Sequence, residues 1–235
     1  MTTHELARES ATPADREPVA TSTWTGAARE KWLSTLPPDK MLPERQPAYV
    51  SSWIYVFGML TIVALMVIVG SGVILTIGGV GWYHTSSIGR FVNSLHYWGV
   101  QLFFVFMVVH FWGKFWMAAW RGHRAMTWIT GVLAMLASVG TGFTGYLIQS
   151  NFNSQWIAFE SKDVLNSVGM GAFVNVTDFG QMVLMHVALL PLIVGVIVVM
   201  HVLLVRKHGV VPPIDAIDHE LVAAEKAPAD AEVQS

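Results

Sequence analysis

Four histidines are the residues of this chain whose type and spacing could do chemistry. His96 and His110 lie in an apolar run, Phe91 to Gly113, that contains no Asp, Glu, Lys or Arg; thirteen residues separate them. His186 and His201 lie in a second such run, Phe179 to Val205, with fourteen residues between them. At about 100° and 1.5 Å per residue, the first pair sits about 40° apart around a helix and about 21 Å apart along it. The second pair sits about 60° apart and about 22 Å along. Each helix therefore turns two imidazoles toward one side, one near each end of a membrane span. If the two helices pack antiparallel, His96 can face His186 and His110 can face His201. Such facing pairs describe two metal sites stacked across a membrane. Zinc fits poorly, because each pair supplies two ligands where four are usual. Haem iron fits best: two axial imidazoles complete six-coordination, leave oxygen no easy entry, and direct the chemistry to electron transfer.

A single histidine in a membrane helix commonly serves as an interior hydrogen-bonding group. Here four of the chain's nine histidines fall in two matched pairs, and burying four imidazoles in hydrocarbon is costly unless each has a strong partner. The elements that must position them are legible in the composition. Of 235 residues, 53% are hydrophobic and 13% charged, with the charges concentrated outside four long apolar runs. Runs of this length cross a bilayer as helices. The fold class expected is an all-α membrane protein, a four-transmembrane-helix bundle enclosing two haems. With no Cys, thiolate-held iron–sulfur clusters, disulfides and thioether-attached haem are excluded. The net charge of −2 identifies no partner, and no basic patch suggests nucleic acid.

Along the chain, residues 1–27 are rich in Ala, Thr, Glu and Pro and read as a disordered tail. No cleavable signal peptide is visible, since a polar stretch precedes the first apolar run. Residues 28–50 mix Trp32 and Leu33 with Lys31, Lys40, Arg45 and prolines that include Pro37, Pro38 and Pro43; an interfacial segment and a plain linker both fit. The four-helix domain spans 51–209, with helices expected at about 52–77, 91–116, 126–148 and 180–205. A loop of some thirty residues joins the last two, long enough to suggest a function. An acidic tail covers 210–235. The connection between the second and third spans holds Lys114, Arg121 and Arg124, and the fourth exits into Arg206-Lys207. The opposite side has only Arg90 and Lys162 beside Glu160, Asp163 and Asp178. The positive-inside rule then makes both termini cytoplasmic, in a bacterial plasma membrane.

Gly58 and Gly72 in the first span lie fourteen apart, as do Gly131 and Gly145 in the third. That is also the His96–His110 step, so each helix could offer two notches at the depths of the metal sites, where a flat macrocycle approaches the backbone. Ordinary small-residue helix packing explains membrane glycines equally well. Arg124, Arg206 and Lys207 lie near the depth of His110 and His201, where they could pair with haem propionates or shape a quinone pocket. Lys114 and Arg121 read as topology markers. Trp112, Trp116, Trp120 and Trp128 cluster at span ends, as an interfacial belt does.

These residues resemble cytochrome b6 and the N-terminal domain of cytochrome b, from Rieske/cytochrome b quinol-oxidising complexes. The resemblance rests on the thirteen- and fourteen-residue His spacings, on Arg124-Ala-Met-Thr-Trp-Ile-Thr-Gly131, on Thr144-Gly145-Tyr146, on Arg206-Lys207-His208-Gly209 and on the two glycine pairs. It covers about residues 35–212. It implies two haem b groups, a low-potential one held by His96 and His186 on the outer side and a high-potential one held by His110 and His201 on the cytoplasmic side. It also implies a homodimeric complex with a separate subunit for the cytochrome b C-terminal domain, a Rieske iron–sulfur protein and a c-type cytochrome. One electron from each quinol would cross the membrane to a quinone near Arg206 and Lys207; the other would go to the Rieske protein.

The sequence departs from that family at several points. Val56 stands where the family attaches a covalent c-type haem to a Cys, so that haem is not expected. Asn93 and Gly113, the latter followed by Lys114, stand where the family has Arg. Leu147-Ile148-Gln149-Ser150 follows Tyr146 in place of Pro-Trp, in a loop that lines the family's quinol-oxidation pocket. Two other readings remain open: a haem b membrane anchor passing electrons between quinone and another dehydrogenase or reductase, and a non-redox bundle using the histidines for metal or protons.

Overall fold

The computed structural model describes residues 23–41 and 48–213. The tail at 1–22, residues 42–47 with Pro43 and Arg45, and the acidic stretch 214–235 lie outside the described residues. Every regular element among the described residues is helical. The chain divides after Arg45 into two compact units.

In the first unit, α1 runs Trp24–Thr35. It begins inside the stretch expected to be a disordered tail, because Thr23 caps it: the Thr23 side chain accepts from the Gly26 amide at 3.2 Å, satisfying one of the free N–H groups of the first turn. No α1 side chain is buried. The helix stops at Leu36, ahead of Pro37 and Pro38, since a residue before proline is pushed out of the α region. One helical turn, Pro38–Met41, follows.

The second unit holds the four long helices. A short 3-10 turn, Trp53–Tyr55, leads into α2, Val56–Gly78. Next come α3, Ser87–Trp116, and α4, Ala125–Leu147. α5, Phe152–Ser167, occupies much of the long connection for which the sequence predicts a loop. Its start is set by Asn151, whose side chain accepts from the Ser154 amide at 2.9 Å, and it stops before Gly169, which takes φ 79°. α6, Phe179–His208, starts on an Asp178 cap.

Four helices are long and apolar enough to cross a membrane: Trp53–Gly78, Ser87–Trp116, Gly122–Leu147 and Phe179–His208. Most of their large side chains face outward, among them Met59, Leu102, Leu136 and Leu192. A helix apolar on all sides suits hydrocarbon, where the intrahelical ladder satisfies every backbone group. The bundle is two close pairs: α2 packs along α3, and α4 along α6, while α3 and α4 touch at few points. Ala64, Phe103 and Met107 form the buried seam of the first pair, with Met135 of α4 reaching onto it. Leu147, Ala158, Val176 and Met182 form a second core that anchors α5 and the start of α6 against the end of α4.

α6 is not a uniform α-helix. Met185–Leu189, which contains His186, forms one π turn. A π turn absorbs one extra residue without the usual 100° of rotation. The uninterrupted-helix arithmetic therefore misplaces the second pair: with the fifteenth step absorbed, His186 and His201 regain the offset of His96 and His110. Deleting Ala188 is accordingly expected to turn this segment into ordinary α-helix and leave both imidazoles in place. Thermal unfolding and cofactor content of the deletion variant, both close to those of the parent, would check it.

Candidate functional site

Each of the four imidazoles sits directly on a helical glycine of the neighbouring span. A Cβ at Gly72 would stand 3.2 Å from His96 Cε1, and one at Gly58 3.0 Å from His110 Cε1. On the other pair, a Cβ at Gly131 would stand 3.0 Å from His201 Cε1, and one at Gly145 only 2.5 Å from His186 Cε1. The α2 glycines thus back the α3 histidines, and the α4 glycines back those of α6. The fourteen-residue glycine step matches the His96–His110 step. The imidazole edge lies against each notch.

Backbone carbonyls then orient three of the rings. His96 Nδ1 lies 3.0 Å from the Ile68 carbonyl, His186 Nδ1 2.9 Å from that of Thr141, and His201 Nδ1 2.9 Å from that of Thr127. A carbonyl only accepts, so Nδ1 carries the proton in each and donates it. The lone pair is left on Nε2, the nitrogen a metal would use. A hydroxyl joins each contact: Ser71 at 3.0 Å from His96, Thr130 at 3.2 Å from His201 and Thr144 at 3.5 Å from His186. These hydroxyls donate their own protons to carbonyls one turn back, Ser71 to Val67 at 2.7 Å for instance, and so turn lone pairs toward Nδ1. The sequence reading missed them, although a signal existed: Ser71-Gly72, Thr130-Gly131 and Thr144-Gly145 repeat one hydroxyl–glycine step.

Across the bundle, the His96 and His186 rings face each other with centroids 6.2 Å apart and planes at 84°. A metal–nitrogen bond of about 2 Å and roughly 1.1 Å from ring nitrogen to ring centre would put two trans imidazoles about 6 Å apart on one ion. The spacing therefore fits a single metal between them. His110 and His201 lie within electrostatic reach of each other at the opposite end, and His110 Nδ1 is buried with no hydrogen-bond partner. Among the described residues no group of three or more His, Cys, Asp or Glu is placed to hold a metal ion. Two-histidine sites in an apolar bundle suit an ion whose remaining ligands come with it, as a porphyrin's do.

Residues 101–232 match the sequence profile described as cytochrome b(N-terminal)/b6/petB, more than half the chain. The protein belongs to the cytochrome b N-terminal/b6 family. Membership implies b-type haem. Among relatives, the menaquinol:cytochrome c reductase cytochrome b subunit of Geobacillus thermodenitrificans is 27% identical over 201 residues, covering 75% of this chain and 90% of that one. Cytochrome b6 of Chlamydomonas reinhardtii is 27% identical over 139 residues, covering 54% and 65%. Among solved structures, a chain of a hyperthermophilic respiratory Complex III shares the fold at a TM-score of 0.63 and 20% identity, covering 78% of this chain and 53% of that one. The profile match includes His110, His186 and His201 with Gly131 and Gly145. His96, Gly58 and Gly72 precede it, and the fold brings them into register with the others.

At the His110 end of this cytochrome b, the basic residues divide. Arg124 is half-buried and donates to the His208 carbonyl at 3.3 Å, closing the C-terminus of α6, while its Nε is buried without a partner. His208 stands between Thr127 and His123. Arg206 and Lys207 remain exposed. Lys114, read from sequence as a topology marker, points inward: its ammonium lies 3.8 Å from the centre of the Tyr55 ring. Tyr55 in turn donates to the Val211 carbonyl at 2.8 Å, tying the chain beyond α6 to the foot of α2. Near the His96 end, an open groove runs between Phe143 of α4 and Glu160, Ser161, Val164 and Leu165 of α5.

Proposed function

We propose that the chain is the diheme b-type cytochrome subunit of a bc-type quinol-oxidising complex, carrying electrons across the membrane between two bis-histidine haem sites. The observation that supports this most is the fourfold recurrence of one arrangement, an imidazole seated on a helical glycine, at two depths of the bundle. His96 and His186 would hold the low-potential haem, and His110 and His201 the high-potential one. Haem b supplies reversible one-electron exchange at its iron. The chain's part is to present four Nε2 lone pairs, with Ile68, Thr141 and Thr127 carbonyls locking three rings in the required tautomer. The apolar spans exclude water, and two histidines per site leave no open position for dioxygen.

Lys114, Arg121, Arg124, Arg206 and Lys207 gather the positive charge at one end, which supports placing that end and both termini in the cytoplasm. Arg124, with a buried donor to spare, and the exposed Arg206 and Lys207 are the candidates for propionate or quinone contact there. The name of the Geobacillus relative supports menaquinol as the first electron source to test and a c-type cytochrome as a partner; a Rieske protein, a C-terminal-domain subunit and a homodimeric assembly are what the resemblance to the family adds to this reading.

Purification of the intact complex, with a pyridine haemochrome assay and identification of its subunits, tests the reading. Two haem b per chain and a co-purifying Rieske protein are expected; a complex without haem b would refute it. One observation favours a second reading, that of a haem b anchor serving another dehydrogenase or reductase. The stretch after Tyr146 departs from the family, with Ser150 held at φ 56°. A haem-bearing complex lacking a Rieske protein would support that alternative.

A further inference from the structure

Three of the four histidines share one chemical setting, and the fourth lacks it. Gly72, Gly131 and Gly145 each follow a hydroxyl residue, and the imidazole resting on each has Nδ1 on that hydroxyl and on the carbonyl four residues before the glycine. Gly58 instead follows Phe57, and the residue four before it is Ile54, in the 3-10 turn that precedes α2. The α-helical repeat that supplies the other three carbonyls has not begun there. His110 Nδ1 is consequently buried and unpartnered, and the Phe57 ring packs against Phe106 and Trp53 instead.

We propose that this asymmetry tunes the two sites apart, with Phe57 as the positioning residue that withholds a hydrogen-bond acceptor from His110. The inference rests on the reading of the four histidines as haem ligands. An Nδ1–H that donates to oxygen makes the imidazole a more basic ligand, and a more basic axial ligand favours the ferric iron. His96 and His186 both have such partners, so their site is the more reducing. His110 has none and shares its site only with His201, so that site is the more oxidising. Electrons are drawn from the His96 end toward the His110 end by a difference built into the first turn of α2.

The test is a potentiometric titration of the haem absorbance in the full membrane complex, comparing Phe57→Ser, Phe57→Ala and Ser71→Ala with the parent. Phe57→Ser restores the hydroxyl–glycine step and is expected to make the His110/His201 haem about tenfold harder to reduce, about 59 mV for one electron. Phe57→Ala, which removes the same ring without adding an acceptor, is expected to leave that potential within a factor of two. Ser71→Ala is expected to shift the His96/His186 haem the opposite way. Equal shifts in the two Phe57 variants, or no shift in Ser71→Ala, would overturn the proposal. If Phe57→Ser fails to assemble, Thr130→Val decides: it should raise the His110/His201 potential, and an unchanged value overturns the proposal. Two haems with unmoved potentials would sink this inference alone, whereas fewer than two haems in the parent complex would sink the ligand reading and this proposal with it.

Discussion

Replacing His110 with alanine is expected to remove one haem and leave the other spectrally intact. The two candidate sites are separated along the helices by about 21 Å, each imidazole rests on its own glycine, and three of the four have their own backbone carbonyl. His110 rests on Gly58, and nothing that orients His96 or His186 involves it. Alanine would leave His201 alone to hold a haem at that site, so the group would be retained less firmly there. The haemochrome value should fall by about half, with one component of the low-temperature reduced spectrum lost. Recovery of both haems would refute the pairing of His110 with His201. His96→Ala is the mirror experiment and should remove the other component.

The second large effect is expected at a residue with no functional group. Gly145→Ala places a methyl 2.5 Å from Cε1 and 2.9 Å from Nδ1 of His186. Real Cβ atoms do not approach so closely, and the atoms met belong to a stiff ring on a helix, so the imidazole must move. It then gives up the 2.9 Å bond to the Thr141 carbonyl. Overpacking of this kind costs about 1–3 kcal/mol, or roughly five- to 160-fold in retention of the haem on that pair. Gly140→Ala on the same helix is the control: apart from its chain neighbours and its own helix backbone, no atom lies within 4 Å of the new methyl, and helix propensity favours alanine by about 1 kcal/mol. Haem content after detergent washing should therefore drop in Gly145→Ala and hold in Gly140→Ala. Equal retention in both would show that the glycine is ordinary packing.

Much about this protein was determined by the sequence alone. Hydrocarbon demands long uncharged runs, so the four spans stand out within a few residues of their observed limits. Histidine is costly there, so His96, His110, His186 and His201 are conspicuous, and the fourteen-residue step of His96–His110 recurs in Gly58–Gly72 and Gly131–Gly145. These are one-dimensional regularities, enforced by the solvent and by the helical repeat.

Tertiary structure decided what depends on a second helix or on a local break in the repeat. The π turn at Met185–Leu189 is invisible to arithmetic that assumes a constant 100°, yet it brings His186 into register. Which glycine backs which imidazole follows from α2 pairing with α3 and α4 with α6, a choice among helices that look alike in composition. The inward turn of Lys114 onto Tyr55 is a contact that charge alone does not specify, because a long side chain at a span end can reach either way. The bare Nδ1 of His110 arises because α2 starts two residues too late to supply a carbonyl. Such contacts are set by distances between segments far apart in the chain, and no spacing along it encodes them.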